Sequence, residues 1–228
     1  SIFVNPLQFG PSEDFDRYPR AFDSDVAALQ EAGVALVYAP DVATMYPPGF
    51  STSIDPGPVA ARYEGELRPG HFAGVATVCV KLFSTVGAER VYFGAKDAQQ
   101  VAVLRRVVED LNLPVEMVVV PTVREGDGLA LSSRNVYLDA EQRAAAPALH
   151  RALSAIVEAV RAGETDRARV VARGRDALGN DVDEAYLDVV DPRTFSPLDP
   201  ARGDGLAIGS VRFGATRLID NEAIGETA

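Results

Sequence analysis

The sequence predicts an α/β protein: a parallel, doubly wound sheet followed by a smaller α+β domain at the C-terminal end. Short apolar runs alternate with helical patterns up to residue 120, which is typical of strands and helices in a parallel sheet. After Pro121 the order changes to helices followed by strand-like runs, which is typical of a separate α+β domain. We therefore expect one domain at residues 1–122 and a second at residues 123–228.

The elements of the first domain follow from the spacing of apolar residues. An apolar run stands at the start of the chain, and a buried parallel strand needs neighbours, so we expect a βα unit upstream of Ser1. Prolines and glycines between residues 39 and 70 favour loops there. The predicted strands are 2–4, 34–38, 91–93 and 115–120, and the predicted helices lie near 26–33, 74–86 and 98–111, the last capped by Asp97.

In the second domain the apolar spacing predicts two helices and then three strands. The first helix is long and rich in alanine. The predicted helices cover 139–162 and 168–178, and the predicted strands cover 185–190, 206–211 and 216–219.

Composition excludes several classes of protein. The formal net charge is −11, whereas general nucleic-acid binders are usually basic. The single cysteine, Cys79, lies in an apolar helical pattern, so we expect a packed core thiol. No Cys/His cluster offers a metal site, and no apolar run reaches the roughly 18 residues of a membrane span. We therefore expect a cytoplasmic protein that binds small molecules and has no nucleic-acid partner, membrane partner or resident metal.

Four polar clusters are candidates for a functional site. The first, residues 92–100, lies where a predicted strand gives way to a helix, which is the usual ligand crevice of an open α/β sheet. Gly94 permits close backbone approach, Lys96 adds positive charge, and Asp97 can accept hydrogen bonds from a ribose. Gln100 lies one helical turn further on. A capped helix with a solvated lysine is the alternative interpretation.

The second cluster is residues 127–135. Consecutive hydroxyls at Ser132 and Ser133 precede Arg134, and this combination suits the oxygens of a polyphosphate. A serine-capped turn is the alternative, and the nearby Arg124 and Glu125 could form a simple surface ion pair.

The third and fourth clusters contribute neutral amides and a basic pair. Asn5 and Gln8 follow a predicted strand, where their amides can donate to a carboxylate or hydroxyl. Arg68 and His71 lie in a loop and could meet a carboxylate or phosphate. The alternatives are a polar turn that satisfies its own backbone and a histidine that enters a helix. His150, on the alanine-rich helix, is expected to be a surface or packing residue.

Taken in order, these segments closely resemble the pantothenate synthetase (pantoate–β-alanine ligase) family. The resemblance runs from Ser1 to about Ile224. It is carried by SIFVNPLQFG, RPGHFAGVATVCVKLF, VYFGAKDAQQ, LNLPVE, PTVREGDGLALSSRNVYL and TRLIDN. It implies a Rossmann-like nucleotidyltransferase parallel sheet with a smaller α+β C-terminal domain that closes over it.

The resemblance also implies a two-step ligase reaction. ATP and pantoate would form pantoyl adenylate and pyrophosphate, and β-alanine would then displace AMP to give pantothenate. Magnesium would arrive with ATP, no organic cofactor would be tightly bound, and the protein would be a homodimer. The implied ATP-binding residues are Gly94, Ala95, Lys96, Asp97, Val123, Leu131, Ser132, Ser133 and Arg134, of which Lys96, Ser132, Ser133 and Arg134 would be catalytic. The implied pantoate and β-alanine residues are Gln8, Gln100, Asn5, His71 and Arg68.

One family feature is absent from the 228 residues. The family carries a His-x-Gly-His element after its first strand, whose histidines would stabilise charge on the phosphates, and neither His71 nor His150 has that spacing. We therefore expect the first βα unit to be missing from this chain. Two interpretations remain: part of an active ligase, or a truncated, catalytically impaired fragment that binds nucleotide or pantoate.

Overall fold

The protein has an α/β fold with a parallel sheet and a separate antiparallel sheet. The computed structural model describes residues 1–11, 15–16, 18–179 and 182–225. The predicted fold class is therefore confirmed. The helices are α1 (Phe22–Glu31), α2 (Val42–Met45), α3 (Glu64–Leu67), α4 (His71–Val86), α5 (Ala98–Asp110), α6 (Ala140–Ala145), α7 (Ala148–Arg161) and α8 (Arg167–Leu178); the strands are β1 (Arg90–Gly94), β2 (Glu116–Val120), β3 (Asp183–Val190), β4 (Leu206–Phe213) and β5 (Thr216–Ala223).

The described residues form two compact units. The first unit comprises Ser1–Val91 and Val103–Val118, and the second comprises Tyr92–Ala102 with the described residues from Val119 onwards. Residues 92–102 thus belong with the C-terminal part of the chain. The assignment of residues 1–122 and 123–228 to two domains stays a prediction.

Helix α4 is the central buried element of the first unit. Its apolar face includes Val75, Val78 and Cys79, and it ends at Gly87, whose left-handed φ of 64° allows the chain to leave the helix. The predicted helix is confirmed, with one additional turn at its start. Burial raises the pKa of the Cys79 thiol to about 12, so this cysteine is a core residue, as predicted.

The two strands predicted nearest the start of the chain are wrong. Residues 2–4 and 34–38 belong to no strand among the described residues. A backbone hydrogen bond from Ile2 N–H to the Tyr38 carbonyl, 2.9 Å long, links the two segments. Leu36 is 83% exposed, whereas strands of a parallel sheet are covered on both faces. The apolar pattern alone did not reveal which neighbours would cover these residues.

Strands β3, β4 and β5 form the antiparallel sheet of the second unit, in that order. Helices α7 and α8 contribute an apolar face to the core of this unit, where Leu153 and Ile156 are fully buried. The predicted helix over 139–162 is instead two helices, α6 and α7, which are separated at Ala146 and Pro147. Pro147 lacks an N–H, and its ring clashes with a continuing helix, so it separates α6 from α7.

Helix α5 follows β1 through a 3₁₀ turn at Ala95–Asp97. Asp97 is the last residue of this turn and directly precedes α5, and its role as a cap stays a prediction. Among the described residues, no helix has the length and apolar character needed to cross a bilayer.

Candidate active site

Asn5 organises the short turn that carries Gln8 in the first unit. The Asn5 side chain is buried, and its Oδ1 accepts from Tyr46 Oη at 2.7 Å and from the Leu7 N–H at 3.2 Å. Its Nδ2 donates to Gln8 Oε1 and to the Gly74 carbonyl, both at 3.1 Å. Since every hydrogen-bonding position of this amide is used, Asn5 supports the turn and orients the Gln8 amide.

Arg68 and His71 hold the backbone of the same turn. His71 Nδ1 lies 2.8 Å from the Gln8 carbonyl, and His71 Nε2 lies 3.0 Å from Arg68 Nη1. A carbonyl can only accept and a guanidinium can only donate, so Nδ1 carries the ring proton and Nε2 accepts. Arg68 Nη2 also donates to the Gln8 carbonyl at 3.3 Å. The predicted residues Asn5, Gln8, Arg68 and His71 therefore form one hydrogen-bonded cluster.

Gly74 allows this turn to lie directly against helix α4. A Cβ at position 74 would overlap the Leu7 carbonyl and lie 2.8 Å from Gln8 N, and these backbone atoms cannot rotate away. We expect Gly74→Ala to lower the free energy of unfolding by about 1–3 kcal/mol through overpacking, although alanine has the better helix propensity. Urea unfolding measures the difference. Gly126→Ala is the control because nothing lies within 4 Å of its added Cβ; equal stabilities would contradict the expectation.

The β1–α5 turn of the second unit carries the predicted nucleotide residues. Lys96 is mostly buried, with 18% of its side chain exposed, and its Nζ lies 3.7 Å from Asp97 Oδ1. Asn221 Nδ2, from β5, donates to the Ala95 carbonyl at 2.9 Å and to the Lys96 carbonyl at 2.8 Å. The turn is thus held by a residue to which the sequence analysis assigned no role.

A hairpin-like segment at residues 123–131 follows in the same unit. The Leu131 N–H donates to the Val123 carbonyl at 2.9 Å, which places these two predicted residues side by side, and both side chains are exposed. Arg124 does not pair with Glu125 as expected. Instead it binds the buried Asp220 of β5 through two hydrogen bonds. The interpretation as a surface ion pair is therefore wrong, because the partner of Arg124 lies 96 residues further along the chain.

Ser132, Ser133 and Arg134 lie at the start of a 3₁₀ turn, Ser133–Tyr137. Ser132 Oγ accepts a hydrogen bond from the Arg134 N–H at 3.3 Å, so the serine-capped turn is present. Ser133 is exposed, while Ser132 and Arg134 are half-buried. Capping leaves the Ser132 hydroxyl proton available as a donor, so the local structure is compatible with a role in binding.

A small pocket in the second unit brings Lys96 and Ser132 together with His150 and Asn135. Buried Asn135 Oδ1 and His150 Nδ1 have no hydrogen-bond partner within the described part of the chain. His150 Nδ1 lies 3.7 Å from Glu222 Oε2, which is too long for a good hydrogen bond. Buried polar atoms usually have partners, so this pocket retains hydrogen-bonding capacity for water or a ligand.

His150 is half-buried and packs within the second unit, which agrees with the packing role expected from the sequence. Its ring also packs on the hairpin, since a Cβ at Gly128 would lie 2.6 Å from His150 Cδ2. Sequence reasoning missed Asn221 and Asp220. A usable signal was the polar run at 220–222 within a strand, because buried strand positions in this sheet are otherwise mainly apolar.

Arg143 of α6 holds two carboxylates of the hairpin. Its Nη1 lies 2.6 Å from Asp127 Oδ2 and its Nη2 lies 2.8 Å from Glu125 Oε2. The hydrogen bond from Arg143 holds the pKa of Asp127 below its ordinary value of 3.8, and the Leu129 N–H adds to the effect. The same contacts raise the pKa of Arg143.

We expect Arg143→Gln to raise the pKa of Asp127 towards 3.8. A pKa depressed in the folded state favours folding above the unfolded pKa, and this contribution disappears as pH falls through the folded value. The variant should therefore show a weaker dependence of stability on pH below about 4. Carboxyl chemical shifts followed by NMR across the acid range measure the change, with Arg151→Gln as control. An Asp127 titration identical to that of the wild type would contradict the assignment.

The predicted site residues fall into two local sets. The first unit holds Asn5, Gln8, Arg68 and His71, and the second holds the remaining residues, including Gln100 on α5. The convergence of both sets on one cavity stays a prediction. Within the described ranges, no group of three or more His, Cys, Asp or Glu side chains is placed to hold a metal ion.

Comparison with solved structures defines the class of protein. The crystal structure of pantoate-β-alanine ligase (pantothenate synthetase) from Thermus thermophilus matches with a TM-score of 0.94 and 51% identity, over 99% of this chain and 82% of that one. The ligase from Francisella tularensis, solved with β,γ-ATP and β-alanine, matches with a TM-score of 0.72 and 29% identity, over 98% and 77% of the two chains. The class is therefore an α/β ligase with a nucleotidyltransferase-like fold.

Sequence comparison identifies the family. The family model for pantoate-β-alanine ligase matches residues 1–223. Pantothenate synthetase from Chloroflexus aurantiacus is 54% identical over 224 residues, which cover 97% of this chain and 80% of the relative. This chain belongs to the pantoate–β-alanine ligase family.

Proposed function

We propose that this protein condenses pantoate with β-alanine at the expense of ATP. A pantoate carboxylate oxygen attacks the α-phosphorus of ATP, which forms pantoyl adenylate and releases pyrophosphate. The amine of β-alanine then attacks the acyl carbon, loses a proton and displaces AMP, which leaves pantothenate. The observation that carries the proposal is the pocket shared by Lys96 and Ser132, two family-motif residues, in a chain matched by the family model over residues 1–223.

The second unit supplies the nucleotide contacts. Lys96 and the turn of Ser132, Ser133 and Arg134 bind the triphosphate, where cations and hydroxyl donors offset the charge that develops on phosphate oxygens. Asp97 accepts from the ribose, and its 49% exposed side chain supports this role. Gly94, Ala95, Val123 and Leu131 complete the nucleotide site with backbone and apolar contacts. Magnesium accompanies ATP as part of the substrate.

The first unit and α5 supply the contacts to pantoate and β-alanine. Asn5 holds Gln8 Oε1, which directs the Gln8 amide hydrogens away from Asn5 and towards the substrate. Gln100 contributes a second neutral amide, and His71 and Arg68 hold the Gln8 backbone in place. The Francisella complex with β,γ-ATP and β-alanine supports these substrates for a related protein.

Pyrophosphate release tests this function. The assay uses the natural protein. We expect pyrophosphate release that requires both ATP and pantoate, and pantothenate formation once β-alanine is added. ATP hydrolysis that is independent of pantoate, or no release at all, would overturn the proposal.

We also propose that the protein is a cytoplasmic homodimer. This assembly follows from the family resemblance, and light scattering tests it directly. A mass of one chain at micromolar concentration would contradict it.

A further inference from the structure

Asn221 makes the same contact twice, with two consecutive peptide carbonyls. Its Nδ2 lies 2.9 Å from the Ala95 oxygen and 2.8 Å from the Lys96 oxygen, so both amide hydrogens are used. These contacts span 126 and 125 residues. Side chains that hold a distant backbone turn at two adjacent peptides fix its orientation more tightly than one hydrogen bond could.

The backbone of Asn221 is itself held in place. It pairs with Ile208 in the antiparallel sheet, and its N–H donates to Asp220 Oδ1 at 2.8 Å. Its carbonyl accepts from Arg124 Nη2 at 3.3 Å. Asn221 thus joins the β1–α5 turn to the hairpin through one residue of a rigid strand.

The orientation of the two peptides has a chemical consequence. In a trans peptide the C=O and N–H bonds point in opposite directions. Because the Ala95 and Lys96 carbonyls point towards Asn221, the N–H groups of Lys96 and Asp97 point away from β5. In a 3₁₀ turn over Ala95–Asp97 the Asp97 N–H bonds to the Gly94 carbonyl, so Lys96 is the group of this turn that can meet an anion.

We propose that Asn221 is a positioning residue for the nucleotide: it holds the peptides of residues 95–97 in the orientation in which the Lys96 side chain meets the phosphates. This inference rests on the proposed function for the identity of the ligand. Asn221 does not touch the nucleotide and acts only through the turn. Loss of its amide should therefore loosen the turn and weaken ATP binding, while the strand keeps its pairing.

Two variants of Asn221 and one matched control test the proposal. Asn221→Leu keeps the size of the side chain and removes both donors, and Asn221→Ser serves if the leucine variant fails to fold. Glu222→Gln is the control, since it changes the next residue of β5, whose carboxylate accepts from Ser154 Oγ and does not contact the turn. All measurements use the natural protein with MgATP as the probe.

Hydrogen exchange and calorimetry provide the decisive measurements. We expect faster amide exchange at residues 92–100 in the Asn221 variants, and an ATP affinity about tenfold weaker, which is the loss expected from one to two hydrogen bonds. Glu222→Gln should match the wild type in both. Unchanged amide exchange at residues 92–100 would overturn the proposal that Asn221 holds the β1–α5 turn. Unchanged ATP affinity would overturn the role of Asn221 in nucleotide binding.

Ligase turnover separates this inference from the proposed function. If the wild type binds MgATP but releases no pyrophosphate with pantoate, the proposed function fails, and exchange and affinity still decide the role of Asn221. If the wild type turns over and the Asn221 variants bind ATP normally, the inference fails and the function stands.

Discussion

Lys96→Met is expected to lower kcat/KM for pantoate-dependent pyrophosphate release by a factor of about 10²–10³. Methionine retains an unbranched apolar side chain but lacks the ammonium group that we place on the phosphates. Lys96 is only 18% exposed, so its charge acts in a site partly shielded from water, where electrostatic interactions are stronger. Stopped-time pyrophosphate assays at saturating and limiting ATP divide the loss between kcat and KM.

The other lysine provides the control for this experiment. Lys81 lies on α4, and its Nζ is 4.9 Å from the centre of the Phe50 ring. Lys81→Met should retain nearly all activity. Equal activity of the two variants would show that Lys96 has no role in phosphate binding.

Asp220→Ala is expected to lower the free energy of unfolding by about 3 kcal/mol. Asp220 is 4% exposed and accepts two hydrogen bonds from Arg124, so its removal leaves a guanidinium without its counter-charge. Breaking a buried ion pair typically costs about 3–5 kcal/mol, and the lower figure applies because Arg124 is 21% exposed. Urea unfolding followed by circular dichroism measures the change.

Two further variants make this result specific to the buried pair. Asp204 pairs with Arg202 at 2.7 Å on the surface, and such pairs contribute little, so Asp204→Ala should change stability by less than about 1 kcal/mol. The double variant Arg124→Met/Asp220→Leu should lose less stability than Asp220→Ala, because no charge remains buried. The assignment is wrong if Asp220→Ala is no more destabilising than Asp204→Ala.

The spacing of apolar residues predicted the helices and strands in which the apolar pattern is continuous. Helix α4, strand β1 and strand β2 appear within a few residues of the predicted positions, because their apolar periodicity is continuous. The error at Pro147 had a local cause that was present in the sequence, since proline interrupts a helix. The errors at residues 2–4 and 34–38 had no such cause, because strand formation depends on neighbours that the pattern does not specify.

Prediction of the candidate site was also limited by contacts between residues that lie far apart in the sequence. The cluster of Asn5, Gln8, Arg68 and His71 could be anticipated because the family motifs contain all four residues. The tautomer of His71 could not be anticipated, because it depends on contacts with Arg68 and Gln8 in three dimensions. Likewise, nothing near Arg124 in the sequence indicates Asp220 as its partner.

The hydrogen bonds made by β5 have a consequence for when the proposed nucleotide site can form during folding. Asp220 meets Arg124 across 96 residues, and Asn221 meets Ala95 across 126 residues. Closing such long loops costs conformational entropy, and the contacts offset this cost only once they have formed. On a ribosome the turn at residues 95–97 emerges well before the strand that holds it, and we expect the proposed nucleotide affinity to be acquired only after β5 has been synthesised and has joined its sheet.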